Sequence, residues 1–568
     1  MGCESGCNLQ LRRKEGEVIC MSSEMSLFAK TIMEQKYSHV KPDGTPEAWG
    51  DIAKRVAENV MGAVSAPKDL VDGIREAIAA KKLVPAGRYL YAAGRPYHQT
   101  QNCLLLSAED SREGWADLLR RASMALMTGA GIGIEYSRIR QEGEVIKKTG
   151  GYATGPIALM QMVNEVSRGV MQGGSRRSAV LAMLSWKHAD VYKFIVLKNW
   201  TETVRELKGK DINFPATMDG TNISVQLDDE FFEAFHNKEH ALRSHASSVY
   251  WAIIEQMLKT GEPGFTVDIG INHGESLRNA CGEATSSEDN DICNLGSVNM
   301  ANIHSMEEMK NVVELGVALL LAGTVYSDTP YEEVRIIREK NRRLGLGLMG
   351  LHEWLLLRSK RYGPDAELEE YLKIYADNMN IAIKYADMWG LSRPVKVRAL
   401  APTGTVGIVM ETTTGIEPIF CAAYKRRYRK GSHLIEYQYV LDPTAKKLVG
   451  KGINPDLIED AYTLSKDVER RVAFQAWLQQ FVDQGISSTI NLPAWGTEQN
   501  NHDKFVEFGN MLMKYLPRLR GITAYPDGAR SGQPLTPVKF QTAAKHIGQV
   551  FVESADVCDI TRGGTCSG

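Results

Sequence analysis

Short apolar runs of strand length alternate along this chain with longer stretches of helical spacing, and that alternation restricts the fold more than any other feature. CLLLS (103–107), GIGIEYSRI, AVLAMLSW, NISVQL, SSTINLP and LRGITAYPDG read as strands. Between them, stretches such as GWADLLRRASMALMTG place apolar residues every three or four positions, the signature of a helix. Strands separated by helices imply an α/β architecture with a parallel sheet, and a count near ten favours a closed α/β barrel over an open sheet. Ahead of the first run, WGDIAKRVAENVMGAV and KDLVDGIREAIAAKKLV have helical spacing. The expected organisation is an extension over 1–24, a helical region over 25–95, a barrel over 96–532 and a helix with a tail over 533–568.

The 568 residues suffice for a large buried core. A net charge of −2 gives no general attraction to nucleic acid or to anionic membrane; the basic run YKRRYRK (424–430) is short, and no nucleic-acid partner is expected. No apolar stretch is expected to approach the ~20 residues of a membrane span, and the first residues have no apolar signal region, so no membrane partner and a cytoplasmic location are expected. Nine cysteines (Cys3, Cys7, Cys20, Cys103, Cys281, Cys293, Cys421, Cys558 and Cys566) are too sparse, and odd in number, for a disulfide scaffold. They suit fillers, metal ligands or redox catalysts. No cysteine pair has convincing zinc spacing, so no metal is expected.

NACGE (279–283) sets Cys281 between Asn279 and Glu283; an extended backbone would place all three side chains on one face. The carboxylate can move protons and the amide can orient a hydroxyl. No histidine adjoins the thiol to lower its pKa, and Arg278 is the nearest positive charge, which disfavours cysteine-hydrolase chemistry. Thiol redox chemistry by Cys281, Cys293 and Cys103 remains. In APTGTVGIVMETTTGIEP (401–418), a strand-like run leads into Thr403, Gly404 and Thr405, either an anion-binding loop or a structural turn. MQGGSRRSAV (171–180) has two glycines and two arginines, suited to clamping a charged ligand. GAGIG (129–133) imitates a dinucleotide loop but follows a helix and precedes a strand, the reverse of the nucleotide-binding order, and reads as a helix stop.

At these residues the chain resembles the ribonucleotide reductases. NACGE followed by CNLGSVNM is similar to that family's active-site finger loop. QNCLLL, GAGIGIEYSRIR, GGSRRSAVLAML, RRLGLGLMGLHEWL, APTGTVGIVMETTTGIEP and GITAYPDGAR are similar to family segments and come in family order, over roughly residues 25 to 535. The resemblance implies a ten-stranded α/β barrel with Cys281 on a loop through its centre. It implies reduction of ribonucleotides, with diphosphates expected, to 2′-deoxyribonucleotides. A thiyl radical on Cys281 would take the 3′-hydrogen, Glu283 the 3′-hydroxyl proton, and Asn279 would hold that hydroxyl. Cys103 and Cys293 would supply the electrons and close into a disulfide. Thr403, Gly404 and Thr405 would hold the substrate phosphates. Asp110, Arg138 and the loop residues Gly173, Gly174, Ser175 and Arg176 would bind a deoxynucleotide or ATP effector, the alternative for Asp110 being a helix cap. Cys558 and Cys566 would pass electrons from a thioredoxin or glutaredoxin-like reductant, with Cys3 and Cys7 as competitors, and a homodimer is among the expected partners.

The radical source follows from one strand. In GITAYPDGAR, Tyr525 is followed by Pro526, where reductases served by a metal-containing small subunit typically carry adjacent tyrosines. Proline cannot relay a radical, and the strand resembles adenosylcobalamin-dependent enzymes; a large subunit needing a small-subunit partner is the alternative. No glycyl-radical loop pattern is found. The region ahead of the barrel is short for both a helical domain and an ATP-cone, so inhibition by dATP is expected to be missing.

Overall fold

The computed structural model describes residues 25–172, 176–211, 214–270, 273–430, 434–527 and 535–551. Gly173, Gly174, Ser175, Cys3, Cys7, Cys558 and Cys566 lie outside these residues, while Arg176 begins a two-residue strand, Arg176–Arg177, paired with Met171–Gln172.

Three helices, α1 (Leu27–Lys36), α2 (Trp49–Gly62) and α3 (Lys68–Ala79), open the described chain. Ile52, Val56 and Val60, spaced by four, are fully buried along one stripe of α2. Ten strands then form one large mixed sheet: β1 (Leu83–Pro85), β2 (Cys103–Ser107), β3 (Gly131–Glu135), β4 (Val180–Ser185), β5 (Thr221–Asp228), β6 (Gly264–Asp268), β7 (Asp291–Asn299), β8 (Leu344–Met349), β9 (Thr489–Leu492) and β10 (Gly521–Pro526). Their order is β1-β7-β2-β3-β4-β5-β6-β10-β9, with β8 also on β7. The first strand comes from within the N-terminal helical region yet pairs with β7.

The sheet consists of two parts. Strands β2 to β6 are mutually parallel; β7 and β8 are parallel, as are β9 and β10. The parts meet antiparallel at β2/β7 and at β6/β10. Between β8 and β9 the ladder is open, spanned by single bridges Leu346–Arg398 and Leu400–Ile486. All residues of β2 and β3 are buried, as strands covered on both faces require.

Helix α4 (Arg112–Thr128) ends at Gly129, whose left-handed φ of 104° stops it before β3. That accounts for GAGIG as a helix stop. The run RAL (398–400) is not a regular strand, and the apolar segment after Thr403 is helix α6 (Gly404–Met410), preceded in the chain by α5 (Met306–Tyr326). Helix α5 has the length and apolar composition to cross a membrane, which the strand-and-helix reading overlooked. It is a core helix: Val317 to Ala322 are buried against α2, β1 and β8. The basic run 424–430 lies on the strand Ala423–Lys430, paired with Leu434–Leu441 outside the large sheet.

Candidate active site

Between β6 and β7 the chain makes a hairpin finger. Arg278 pairs with Thr285 and Leu277 with Ser286. The tip is a tight turn rather than an extended segment: Gly282 N–H donates to Asn279 O at 3.1 Å and Ala284 N–H to the Asn279 side-chain oxygen at 3.0 Å. The turn, not strand alternation, therefore sets the three signature side chains: it holds Asn279 and Glu283 in the interior and carries Cys281 at its tip. Asn279 and Glu283 are 1% exposed, while Cys281 is exposed at the tip.

The finger is clamped from two sides. Its Arg278 carbonyl lies so close to β3 that a Cβ on Gly133 would stand 1.9 Å from that oxygen. On the other side, Gly485 N–H donates to Glu283 O at 2.7 Å. Gln484, fully buried, accepts from Thr285 N–H at 3.4 Å and donates to Leu344 O at 2.7 Å, which ties the finger to β8. The base is locked by charge. Arg343 Nε donates to Asp291 at 2.7 Å, and Ser286 and Asn341 donate to the same carboxylate oxygen at 2.7 and 3.0 Å. Arg278, 1% exposed, donates to Val267 O at 2.8 Å, and burial pulls its pKa down to about 10.

Behind the tip, Cys103 Sγ lies 3.8 Å from Glu283 Oε1. Cys103 and Cys293 are register partners on β2 and β7. Directly opposed residues of an antiparallel pair have Cα atoms roughly 4.5–5.5 Å apart, within the range a disulfide spans. Burial raises both thiol pKa values, and the Glu283 charge raises them further. Burial also pushes Glu283 up to about 7, against the hydrogen bonds from Asn279 and Cys103, which lower it. Its second oxygen, Oε2, has no hydrogen-bond partner among the described residues. The geometry thus gathers a carboxyl near neutrality, an amide and two thiols within one buried nest.

On the other side of the tip is a cavity of about 290 Å³. Ala280, Cys281 and Gly282 line it, as do Gly261, Ser487, Ser488, Gly521, Ala524 and Tyr525, whereas Asn279, Glu283, Cys103 and Cys293 do not. Cys281 is addressed from two faces. Pro402 also lines the cavity, so Thr403, Gly404 and Thr405 follow directly from its wall. Thr403 adopts a left-handed φ of 52° ahead of α6, and its hydroxyl accepts from Gly415 N–H at 2.7 Å.

Asp110 accepts from Arg140 Nε at 2.7 Å, not from Arg138, whose side chain is exposed. The cap of α4 is Ser111, which accepts from Gly114 N–H at 2.9 Å. Arg140 and Arg343 lie within the segments GAGIGIEYSRIR and RRLGLGLMGLHEWL but are not singled out by the sequence reading, and Gln484 lies in none of the quoted segments.

The family described as "Ribonucleotide reductase, barrel domain" matches residues 101–243, 238–384 and 392–515. The chain belongs to this family. It is 24% identical to a "Vitamin B12-dependent ribonucleoside-diphosphate reductase" of Thermoplasma acidophilum, over 90% of this chain and 72% of the relative. It is 25% identical to a protein of the same name from Mycobacterium tuberculosis, over 90% and 81%. A "Putative adenosylcobalamin-dependent ribonucleoside-triphosphate reductase" of Mycobacterium phage D29 is 25% identical, over 90% and 95%. The finger, the two thiols on β2 and β7 and the Thr403 loop of this reductase all fall within the matched residues.

Proposed function

We propose that this reductase converts ribonucleoside diphosphates to 2′-deoxyribonucleoside diphosphates with adenosylcobalamin as its radical source. The observation that carries the reading is Cys281, set between a buried nest of Asn279, Glu283, Cys103 and Cys293 and a separate cavity. The small side chains on that cavity's wall and the open space around Gly282 fit a bulky group brought up to the thiol. Tyr525 on β10 faces this cavity, and Pro526 after it, opposite Leu492, leaves no second phenol in the strand. Adenosylcobalamin, when bound, supplies the one-electron oxidation of the Cys281 thiol.

The chain's own groups do the rest. The Cys281 sulfur takes the 3′-hydrogen atom and later returns it. Glu283, poised near neutral pH, takes the 3′-hydroxyl proton while Asn279 holds that hydroxyl. The 2′-oxygen leaves as water, carrying one substrate oxygen and two protons. Cys103 and Cys293 give two electrons in total and become one disulfide, so product, water and disulfide balance substrate and two thiols. Thr403, Gly404 and Thr405 hold the diphosphate where the polypeptide leaves the cavity wall at Pro402. We read the ten strands as a barrel around the finger, with the bridges at Leu346 and Leu400 as its closing contacts. Asp110 with its partner Arg140, Arg138 and the loop 173–176 form the effector site, and two copies of the chain assemble as a homodimer. Thioredoxin or a glutaredoxin-like protein restores the thiols.

Purified protein with a small dithiol and an effector nucleotide should form deoxynucleotide with adenosylcobalamin and none without it. Turnover that appears when an iron- or manganese-bearing small subunit is added, and not with the cobalamin, would overturn the reading.

A further inference from the structure

In the nest behind the finger tip, one hydrogen has two places to go. Cys103 Sγ lies 3.8 Å from Glu283 Oε1 and 3.7 Å from the side-chain oxygen of Asn102. An ionised carboxylate and an amide oxygen only accept, and a thiol has a single hydrogen to give. The S–H therefore turns to one of them at a time. Burial, and the Glu283 charge after it, push the Cys103 pKa well up, so the thiol keeps its hydrogen and stays a donor. Turned towards Glu283, it stabilises the carboxylate and weakens the base; turned towards Asn102, it leaves the base stronger.

The fold fixes Asn102 in this place. Its backbone oxygen accepts from Gly131 N–H at 2.8 Å, where β2 and β3 begin their ladder. Cys103 is opposite Gly131 there, and a Cβ on Gly131 would stand 3.1 Å from the Ala280 Cβ of the finger tip. Glu283 and Cys103 are 1% and 4% exposed, whereas Asn102 is partly exposed. The titratable groups about Glu283 are the thiols of Cys103 on β2, Cys293 on β7 and Cys281 at the tip. Arg343 and Asp291 act on Cys293 from the finger base, and Arg278 stands in the stem. Gln484 and Gly485, packed on the far side, bring no charge.

We propose that Asn102 is a positioning residue that draws the Cys103 S–H away from Glu283 and thereby sets how strongly that carboxyl holds a proton. Asn102 itself makes and breaks no covalent bond; it acts through the direction of one thiol hydrogen. The inference rests on the reading of Glu283 as the base and adds the residue that tunes it. Removing the competing acceptor should commit the S–H to Glu283 and lower the midpoint of its titration. On the usual worth of one hydrogen bond, the shift is about half a pH unit to one unit.

The test titrates Glu283 directly, in the full chain without substrate or cofactor. Infrared difference spectra against pH follow the C=O band of the protonated carboxyl, assigned by its loss in Glu283→Gln. In Asn102→Leu the midpoint should fall by about half a pH unit to one unit, and Asn102→Ala takes its place if the larger side chain does not fold. Asn102→Asp keeps an acceptor and adds a negative charge, so there the midpoint should rise. The acid limb of kcat should move with the midpoint in each variant. A structural role would leave the midpoint in place or move it the same way in both kinds of variant, and either result overturns the proposal. If the midpoints part in the stated directions while the kcat limb stays, the proposal is upheld and it is the reading of Glu283 as the base that fails.

Discussion

Glu283 combines a buried carboxyl, a second oxygen with no hydrogen-bond partner among the described residues and a pKa pushed up to about 7. As the proton acceptor it must be ionised, so kcat should rise with pH through about 7 and then level off. In Glu283→Gln this limb should vanish together with nearly all turnover, which a pH series of initial rates checks. The same shift has a stability side. The folded pKa lies above the unfolded carboxylate value, so the native state is penalised as pH climbs past about 4.5 and fully penalised above about 7. Glu283→Gln should therefore melt higher than the wild type at pH 8, with the difference shrinking at pH 5. Cys281→Ser is a different test: the hydroxyl O–H bond is too strong to replace S–H. Deoxynucleotide formation should be abolished, with nucleotide affinity measured by equilibrium dialysis nearly intact.

The finger works as an element because β3 lets it in. Gly133→Ala would drive a Cβ into the Arg278 carbonyl, and backbone cannot step aside as a flexible side chain can. The expected cost is about 1–3 kcal/mol, read as a lower Tm, with a larger proportional loss of turnover because Asn279 and Glu283 move with the stem. Much of this element could be read in advance: the residues of the nest lie in NACGE, CNLGSVNM and QNCLLL, and the strand runs around them are apolar and short. The way they converge could not be. Alternation along an extended strand would also have put Asn279, Cys281 and Glu283 together, but the Asn279–Ala284 turn buries two of them and exposes the third. Gln484 and Arg343 act across nearly 200 and about 50 residues of sequence, where no local pattern announces a partner. Helix α5 was overlooked because it is apolar on nearly every face, as a helix covered all round by protein is, so it shows no periodic stripe.

At the scale of the whole molecule, the two thiols are sealed in: Cys103 is 4% exposed and Cys293 fully buried. A protein reductant cannot reach them, so electrons must be carried inward by thiol exchange. Cys558 and Cys566, outside the described residues, are the proposed carriers. The double change Cys558→Ser with Cys566→Ser should stop thioredoxin-driven turnover and spare turnover driven by dithiothreitol, as paired rate measurements would show. Unchanged thioredoxin-driven rates would remove the tail from the pathway.

Strands β2 and β7 are where the two parallel parts of the sheet meet head to tail, and Cys103 and Cys293 face each other across that junction. A bond between them would be a stitch through the seam of the protein. It would enclose a loop of about 190 residues, worth about 5 kcal/mol against the unfolded chain on loop entropy alone. Each round of chemistry would then leave the enzyme sewn shut, and each reduction would unpick it. Enzyme halted after one turnover without reductant should melt above its reduced form, which would make a melting curve a gauge of how many molecules have just fired.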